Sequence, residues 1–178
     1  MKKLLLLFWV NYLLSITASA QYTIPPATGK ECAQITQEKL NIYLGKLKNL
    51  VNLAQQDKDK YGVNGAYPAT AIHFHLYAYV AYDSLQKTVD WLSTGNDNNP
   101  KVTSFIEAMA IKDQMMITVI PQLMAVNHWA GLSAIYHNSS FASCGKEEAL
   151  RLLAEAVNIL AYASRCYTGN YTEIPPCK

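Results

Sequence analysis

The stretch QMMITVIPQLMAVNHWAGLSAIYHNSSFASCG, residues 114–145, contains no Asp, Glu, Lys or Arg. Its length and apolar character resemble those of a membrane span, which needs about 20 consecutive apolar residues. However, Pro121, Gln122 and His128 interrupt the run, and polar side chains are costly in hydrocarbon. We therefore predict that this stretch is a central helix of a bundle. Once the N-terminal residues 1–20 are cleaved as a signal peptide, we expect no stable membrane span to remain.

Pro121 is predicted to kink or end this helix, because proline lacks an N–H and clashes with the preceding turn. We favour a separate or sharply kinked helix over residues 122–136, after a helix that begins near Lys101. The predicted buried side comprises Val102, Phe105, Ile106, Met109, Met116, Ile117 and Ile120 before the proline, and Leu123, Met124, Val126, Leu132 and Ile135 after it.

Three further amphipathic helices are predicted at residues 31–58, 69–94 and 145–167, because apolar residues recur there at steps of three and four. In the last of them, the predicted buried stripe is Leu150, Leu153, Val157, Leu160 and Ala161. The fold class is therefore all-α, an up-and-down bundle of four to five helices stapled by two disulfides.

The helix at residues 69–94 has an unusual first half, where apolar residues also occupy the side that should be polar. These residues are Ile72, Leu76, Tyr79 and Val80. A helix that is apolar on all sides is normally buried on all sides. We expect the uncharged stretch at residues 114–145 to cover this second apolar side.

The N-terminus MKKLLLLFWVNYLLSITASA reads as a signal peptide, residues 1–20. Lys2 and Lys3 precede an apolar run, and Ala18-Ser19-Ala20 fits the small-residue cleavage pattern. The mature chain, residues 21–178, is predicted to be one secreted, extracellular domain with an extended N-terminal leader and a non-helical C-terminal tail.

Four cysteines, an even number in an exported chain, predict two disulfides. With five helices of alternating direction, the starts of the first and last helices share an end of the bundle. This arrangement favours Cys32 with Cys144 and Cys166 with Cys177, which is our preferred scheme. With four helices, Cys32 would instead pair with Cys166 or Cys177.

Two triplets, Asn138-Ser139-Ser140 and Asn170-Tyr171-Thr172, fit the pattern for N-glycosylation. Both fall in segments predicted to be loops, at residues 137–143 and after Gly169. In a eukaryotic source, Asn138 and Asn170 are therefore predicted glycan sites.

No residue set predicts catalysis, a metal site or a cofactor. Loss of Lys2 and Lys3 with the signal leaves equal numbers of basic and acidic side chains, so nucleic acid is not an expected partner. The remaining basic residues alternate with acids such as Asp57 and Asp59, as on a solvated helix side. His73 and His75 lie about 200° apart around a helix and cannot chelate one ion.

These observations favour a secreted, non-enzymatic protein that acts by binding a protein or surface partner. The alternative is a carrier that holds a small apolar ligand in a pocket between helices. Its candidate lining residues are Tyr77, Tyr79, Met116, Met124 and His128.

Overall fold

The computed structural model describes the backbone of residues 29–94 and 110–168, and the side chains of residues 38–91 and 110–161. The predicted signal peptide, leader and tail, together with Asn170 and Cys177, lie outside these ranges. The described helices are α1 (Gly29–Tyr61), α2 (Pro68–Thr94), α3 (Ile120–His137) and α4 (Ser140–Thr168), and a π-helical turn (Met115–Val119) immediately precedes α3.

The four helices form an up-and-down bundle. Helix α1 packs against α2 and α4, and α3 packs against the same two helices, so that the helices occupy the corners of a square. Short connections, residues 62–67 and 138–139, join antiparallel neighbours. The prediction of an all-α fold is confirmed, and the number of helices described is four.

The chain stays helical through Pro121, so of the two predicted alternatives, a separate or a sharply kinked helix, the separate helix at residues 122–136 is wrong. Residues 110–114 are helical and lead into the π-helical turn, in which the Ile120 N–H bonds to the Met115 carbonyl. Pro121 then lies in the first turn of α3. Because the π-helical turn already interrupts the i→i−4 hydrogen bonds immediately before Pro121, the missing N–H removes less of the α-helical pattern there.

The π-helical turn follows from the spacing of the inward residues. Ile111, Met115, Val119 and Leu123 are all buried, and each is four residues from the next. An α-helix has 3.6 residues per turn, so three such steps would drift around its axis. The wider π turn takes up that drift.

The predicted buried side of this helix therefore needs correction. Met116 and Ile117 are 54% and 74% exposed, and Met124 and Ile135 are 62% and 76% exposed. The structure buries the residues one position away from Met116 and Met124. The earlier residues of the predicted stripe, from Val102 to Met109, lie outside the described residues.

The predicted stripe of α4 is correct only in part, because Leu153 and Leu160 pack against the core at its edge. The inward residues of α4 are Ala149, Leu152, Ala156 and Ile159, whereas Leu150 and Val157 are exposed. The alanines leave room for close packing between helices, a use that a search for large apolar residues overlooks. The helix also begins at Ser140, earlier than expected, because the Ser139 hydroxyl accepts the Ala142 N–H and caps it.

The expected Cys32–Cys144 disulfide is contradicted by this topology. That pairing required a bundle of five helices. In a bundle of four helices, the start of α1 and the start of α4 lie at opposite ends. Cys144 is exposed and its thiol is unpaired. The side chains of Cys32 and Cys166 are outside the described set, so no disulfide is seen among the described side chains.

Gly45 gives a prediction about α1. It lies in the middle of the helix, and a methyl group added there would meet nothing within 4 Å. Gly45→Ala is therefore expected to raise the free energy of unfolding by about 1 kcal/mol, the difference in helix propensity between the two residues. Urea unfolding measures it, and a loss of stability would show that another part of the chain occupies that side.

Candidate interaction face

Helices α2 and α3 lie side by side with a register set by two aromatic contacts. The rings of His73 and Trp129 are 4.4 Å apart between centroids, and those of Tyr67 and Tyr136 are 4.2 Å apart. Because residue numbers rise along one helix and fall along the other at these contacts, the two helices are antiparallel. The first half of α2 therefore runs beside the second half of α3.

These two halves are the uncharged parts of their helices. No Asp, Glu, Lys or Arg occurs at residues 68–82 of α2 or from residue 114 to the end of α3. Their outer sides carry large apolar residues that are 40–76% exposed. We call this surface the charge-free face, and its members are Ile72, Leu76 and Tyr79 of α2, Ile117 of the π-helical turn, and Met124 and Ile135 of α3.

The expectation that residues 114–145 cover the second apolar side of α2 is therefore wrong. Leu76 and Tyr79 remain 46% and 47% exposed. In a four-helix square, α3 contacts only one flank of α2, and its own outer side is equally apolar. Both helices of this adjacent pair therefore expose large apolar side chains on their outer sides.

The five candidate ligand residues differ in exposure. Tyr77 is half-buried against the core, whereas Tyr79, Met116, Met124 and His128 are exposed. Two grooves in the described part of the chain are lined by other residues. One of about 240 Å³ separates α1 from α4 at Lys39 and Glu155, and another of about 410 Å³ contains Trp91 and Gln114.

His73 and His75 face different helices, as predicted. His73 packs on Trp129 of α3, whereas His75 lies towards the end of α1. Burial lowers the pKa of His75 below its usual value of 6.5, and the positive charge of Lys58 lowers it further, partly offset by Asp59. His75 therefore carries less positive charge near neutral pH than an ordinary histidine would.

A second feature, missed in the sequence, is a buried polar network where α1, α3 and α4 meet. The Asp57 side chain is 0% exposed. Its two oxygens accept hydrogen bonds from the Ser133 hydroxyl at 2.6 Å and the Ser139 hydroxyl at 2.5 Å. Assigning Asp57 to a solvated side was therefore wrong. We call these residues, with His137, the Asp57 network.

His137 connects this network to the α1–α2 connection. Its Nδ1 lies 3.0 Å from the Ser133 hydroxyl, and its Nε2 accepts the Tyr67 N–H at 3.4 Å. Its ring stacks on Tyr61, with centroids 4.5 Å apart. With Nε2 as an acceptor, Nδ1 carries the proton and donates to Ser133, whose hydroxyl in turn donates to Asp57.

Asp, Ser and His together invite comparison with a hydrolase triad, but the order is different. In a triad the histidine stands between the acid and the nucleophilic serine. Here Ser133 stands between Asp57 and His137, and both Ser133 and Ser139 are buried. A substrate cannot reach either hydroxyl in this arrangement, so the network holds helices together.

Asn138 occupies the turn between α3 and α4 in the left-handed conformation, with φ 50° and ψ 41°. Asn adopts this conformation more readily than most residues and commonly follows a helix end. The fold thus gives a conformational reason for Asn138 besides glycosylation. Its side chain is exposed, and its modification stays a prediction.

No helix within residues 29–94 and 110–168 is both long and apolar enough to cross a membrane. In the same ranges, no three His, Cys, Asp or Glu side chains are grouped as a metal site would need. Comparison with known protein families, with curated proteins and with solved structures finds no match.

Proposed function

We propose that this chain is an exported, non-enzymatic binding protein that docks on another protein through the charge-free face. The observation that carries the proposal is the exposure of Ile117, Met124 and Ile135, at 74%, 62% and 76%, on a helix segment without a single charge. Exposed apolar surfaces of this kind mark interaction sites in soluble proteins.

The chemistry of the charge-free face indicates which kind of partner surface can bind to it. An Asp, Glu, Lys or Arg buried against its six apolar members would lose water without gaining an opposite charge from them, which is unfavourable. The matching surface is therefore apolar and uncharged. Tyr79 and Met124 belong to residue types enriched at protein interfaces, from which Lys, Glu and Asp are depleted.

A protein partner fits this face better than a lipid surface. Helices that lie on membranes combine an apolar side with Lys and Arg residues, which attract anionic lipids. The uncharged segments of α2 and α3 contain neither residue. The signal peptide predicted at residues 1–20 supports a partner outside the cell.

The test places a photo-crosslinking amino acid at Met124 and, as a control, at Ile42. Ile42 is 63% exposed but lies on α1, beside Lys39 and Glu155. Each protein is irradiated in extracellular fluid of its own host, with and without excess unlabelled competitor. We expect a defined protein crosslink from position 124 that is absent from position 42, and whose attachment site maps to an uncharged apolar segment.

Competition with unlabelled protein tests whether the crosslink depends on the charge-free face. Unlabelled wild-type protein should remove the crosslink, whereas unlabelled Ile135→Glu should not, and Ile42→Glu should compete like wild type. Equal crosslinking from both positions, or equal competition by both variants, would overturn the proposal. A crosslink to a second copy of this chain, or binding to liposomes alone, would replace it with self-association or lipid binding.

A further inference from the structure

Three methionines have described side chains, and the fold treats them differently. Met116 and Met124 are 54% and 62% exposed, whereas Met115, next to Met116 in the chain, is 0% exposed. Oxidants convert methionine to methionine sulfoxide, which turns a flexible apolar side chain into a polar one. An oxidant in solution can therefore reach two of these sulfurs directly, but it reaches the third only when the core opens.

Met124 is the oxidisable member of the charge-free face. Met124 and Ile135 are eleven residues apart on α3, close to three helical turns, so they lie on the same side of the helix. No Asp, Glu, Lys or Arg lies between residue 114 and the end of α3. Met116 immediately precedes Ile117 and is turned from it by about a quarter of a turn around the helix. Met116 therefore provides a comparison with similar exposure at the edge of this face.

We propose that peroxide oxidises the Met124 sulfur to the sulfoxide, and that this modification makes the charge-free face polar and weakens docking. The effect on docking rests on the proposed function, whereas the oxidation and the change in polarity do not. The matching partner surface is apolar and uncharged. The sulfoxide oxygen would therefore be buried in the complex without a hydrogen-bond donor, which is unfavourable.

The reaction balances with hydrogen peroxide as the oxidant. A lone pair of the Met124 sulfur attacks one peroxide oxygen, so that the S–O bond forms as the O–O bond breaks and hydroxide leaves. The proton on the transferred oxygen passes to the hydroxide and gives water. The sulfur loses two electrons, and the peroxide gains them. Methionine sulfoxide reductases reverse the modification, with one enzyme for each sulfoxide epimer.

The first measurement locates the oxidised sulfurs. The secreted protein is treated with hydrogen peroxide for increasing times and digested with trypsin. Cleavage after Lys112 and Lys146 releases residues 113–146 as one peptide, which contains all three methionines, and fragmentation of this peptide places each added oxygen. We expect Met124 to be oxidised at least about tenfold faster than Met115, because the Met115 sulfur reacts only when the core opens. Equal rates at the two positions would overturn the proposal.

Leucine variants separate Met124 from the other oxidisable residues. M124L keeps an apolar side chain of similar volume but cannot form a sulfoxide, and M116L is the matched control. In hydrophobic-interaction chromatography, peroxide treatment should shorten the retention of the wild type and M116L more than that of M124L. Cys144 is exposed and present in all three proteins, so its oxidation affects them alike. Equal shifts in all three proteins would contradict the assignment to Met124.

The crosslinking competition measures the effect on docking. The labelled protein carries the crosslinking amino acid at position 124, and the unlabelled competitors are wild type and M124L, each with and without peroxide treatment. Oxidised wild type should be needed at about tenfold or greater excess for equal competition. Oxidised M124L should compete like untreated M124L, and treatment of oxidised wild type with both reductases should restore competition.

The outcomes distinguish this inference from the proposed function. Undiminished competition by oxidised wild type, or equal losses in wild type and M124L, would overturn the effect of Met124 oxidation on docking. Absence of any crosslink from position 124 would overturn the proposed function, and with it the effect on docking. The oxidation rates and the chromatographic shifts need no partner, so they test the modification of the charge-free face in either case.

Discussion

Asp57→Ala is expected to lower the free energy of unfolding by about 3–5 kcal/mol. The substitution leaves the hydroxyls of Ser133 and Ser139 buried without the acceptor to which both donate. Each unsatisfied buried group costs about 1–3 kcal/mol, and hydrogen bonds to charged groups are the stronger ones. For a chain of this size the loss corresponds to a fall in melting temperature on the order of 10 °C. Urea unfolding measures it directly.

Asp59 provides the matched control. It lies on the same helix, is exposed, and accepts a hydrogen bond from Gln55 one turn away. Asp59→Ala should change stability by about 0.5 kcal/mol or less, as surface substitutions usually do. Similar losses at both positions would contradict the role given to the Asp57 network.

Gly145→Val should cost about 3 kcal/mol, the upper end of the usual range for overpacking a core. A Cβ atom at this position would lie 2.2 Å from Cζ of Phe74. The phenyl ring is fully buried, so it must be displaced within the core. Chemical denaturation of the purified variant measures the loss.

The same substitution at Gly131 should be nearly neutral, because an added Cβ there meets only the flexible Lys146 side chain at 3.7 Å. Phe74→Leu should restore part of the stability in the Gly145→Val protein, although it is destabilising alone. This non-additivity is the signature of two residues in contact. Additive effects would place the cause of the loss somewhere other than the ring of Phe74.

The helices were predictable because their apolar residues repeat with the helical period. Leu40, Leu47 and Ala54 of α1 are buried as that period predicts. The period identifies the inward side less well where small residues line it, and in α4 Ala149 and Ala156 are buried in place of larger neighbours. The helical period also does not predict that the helix continues through Pro121, because that continuation depends on the preceding π-helical turn.

The candidate site was partly visible in the sequence. The lack of charge in α2 and α3 was evident, but sequence order does not show whether two apolar helices cover each other or lie side by side. Asp57 lies between Gln56 and Lys58 in a run of polar residues, and nothing local marks it as buried. Only the fold brings Ser133 and Ser139 to its carboxylate.

The π-helical turn means that the third helix carries one residue more than its packing requires. Without Ile117, for example, the inward positions would be spaced four, three and four residues apart, which an uninterrupted α-helix accommodates. Chain length can thus vary by one at residues 116–118 while both flanking segments keep their inward sides. A deletion between Leu123 and Val126 cannot be absorbed in this way, because it would rotate Val126 and Ala130 out of the core.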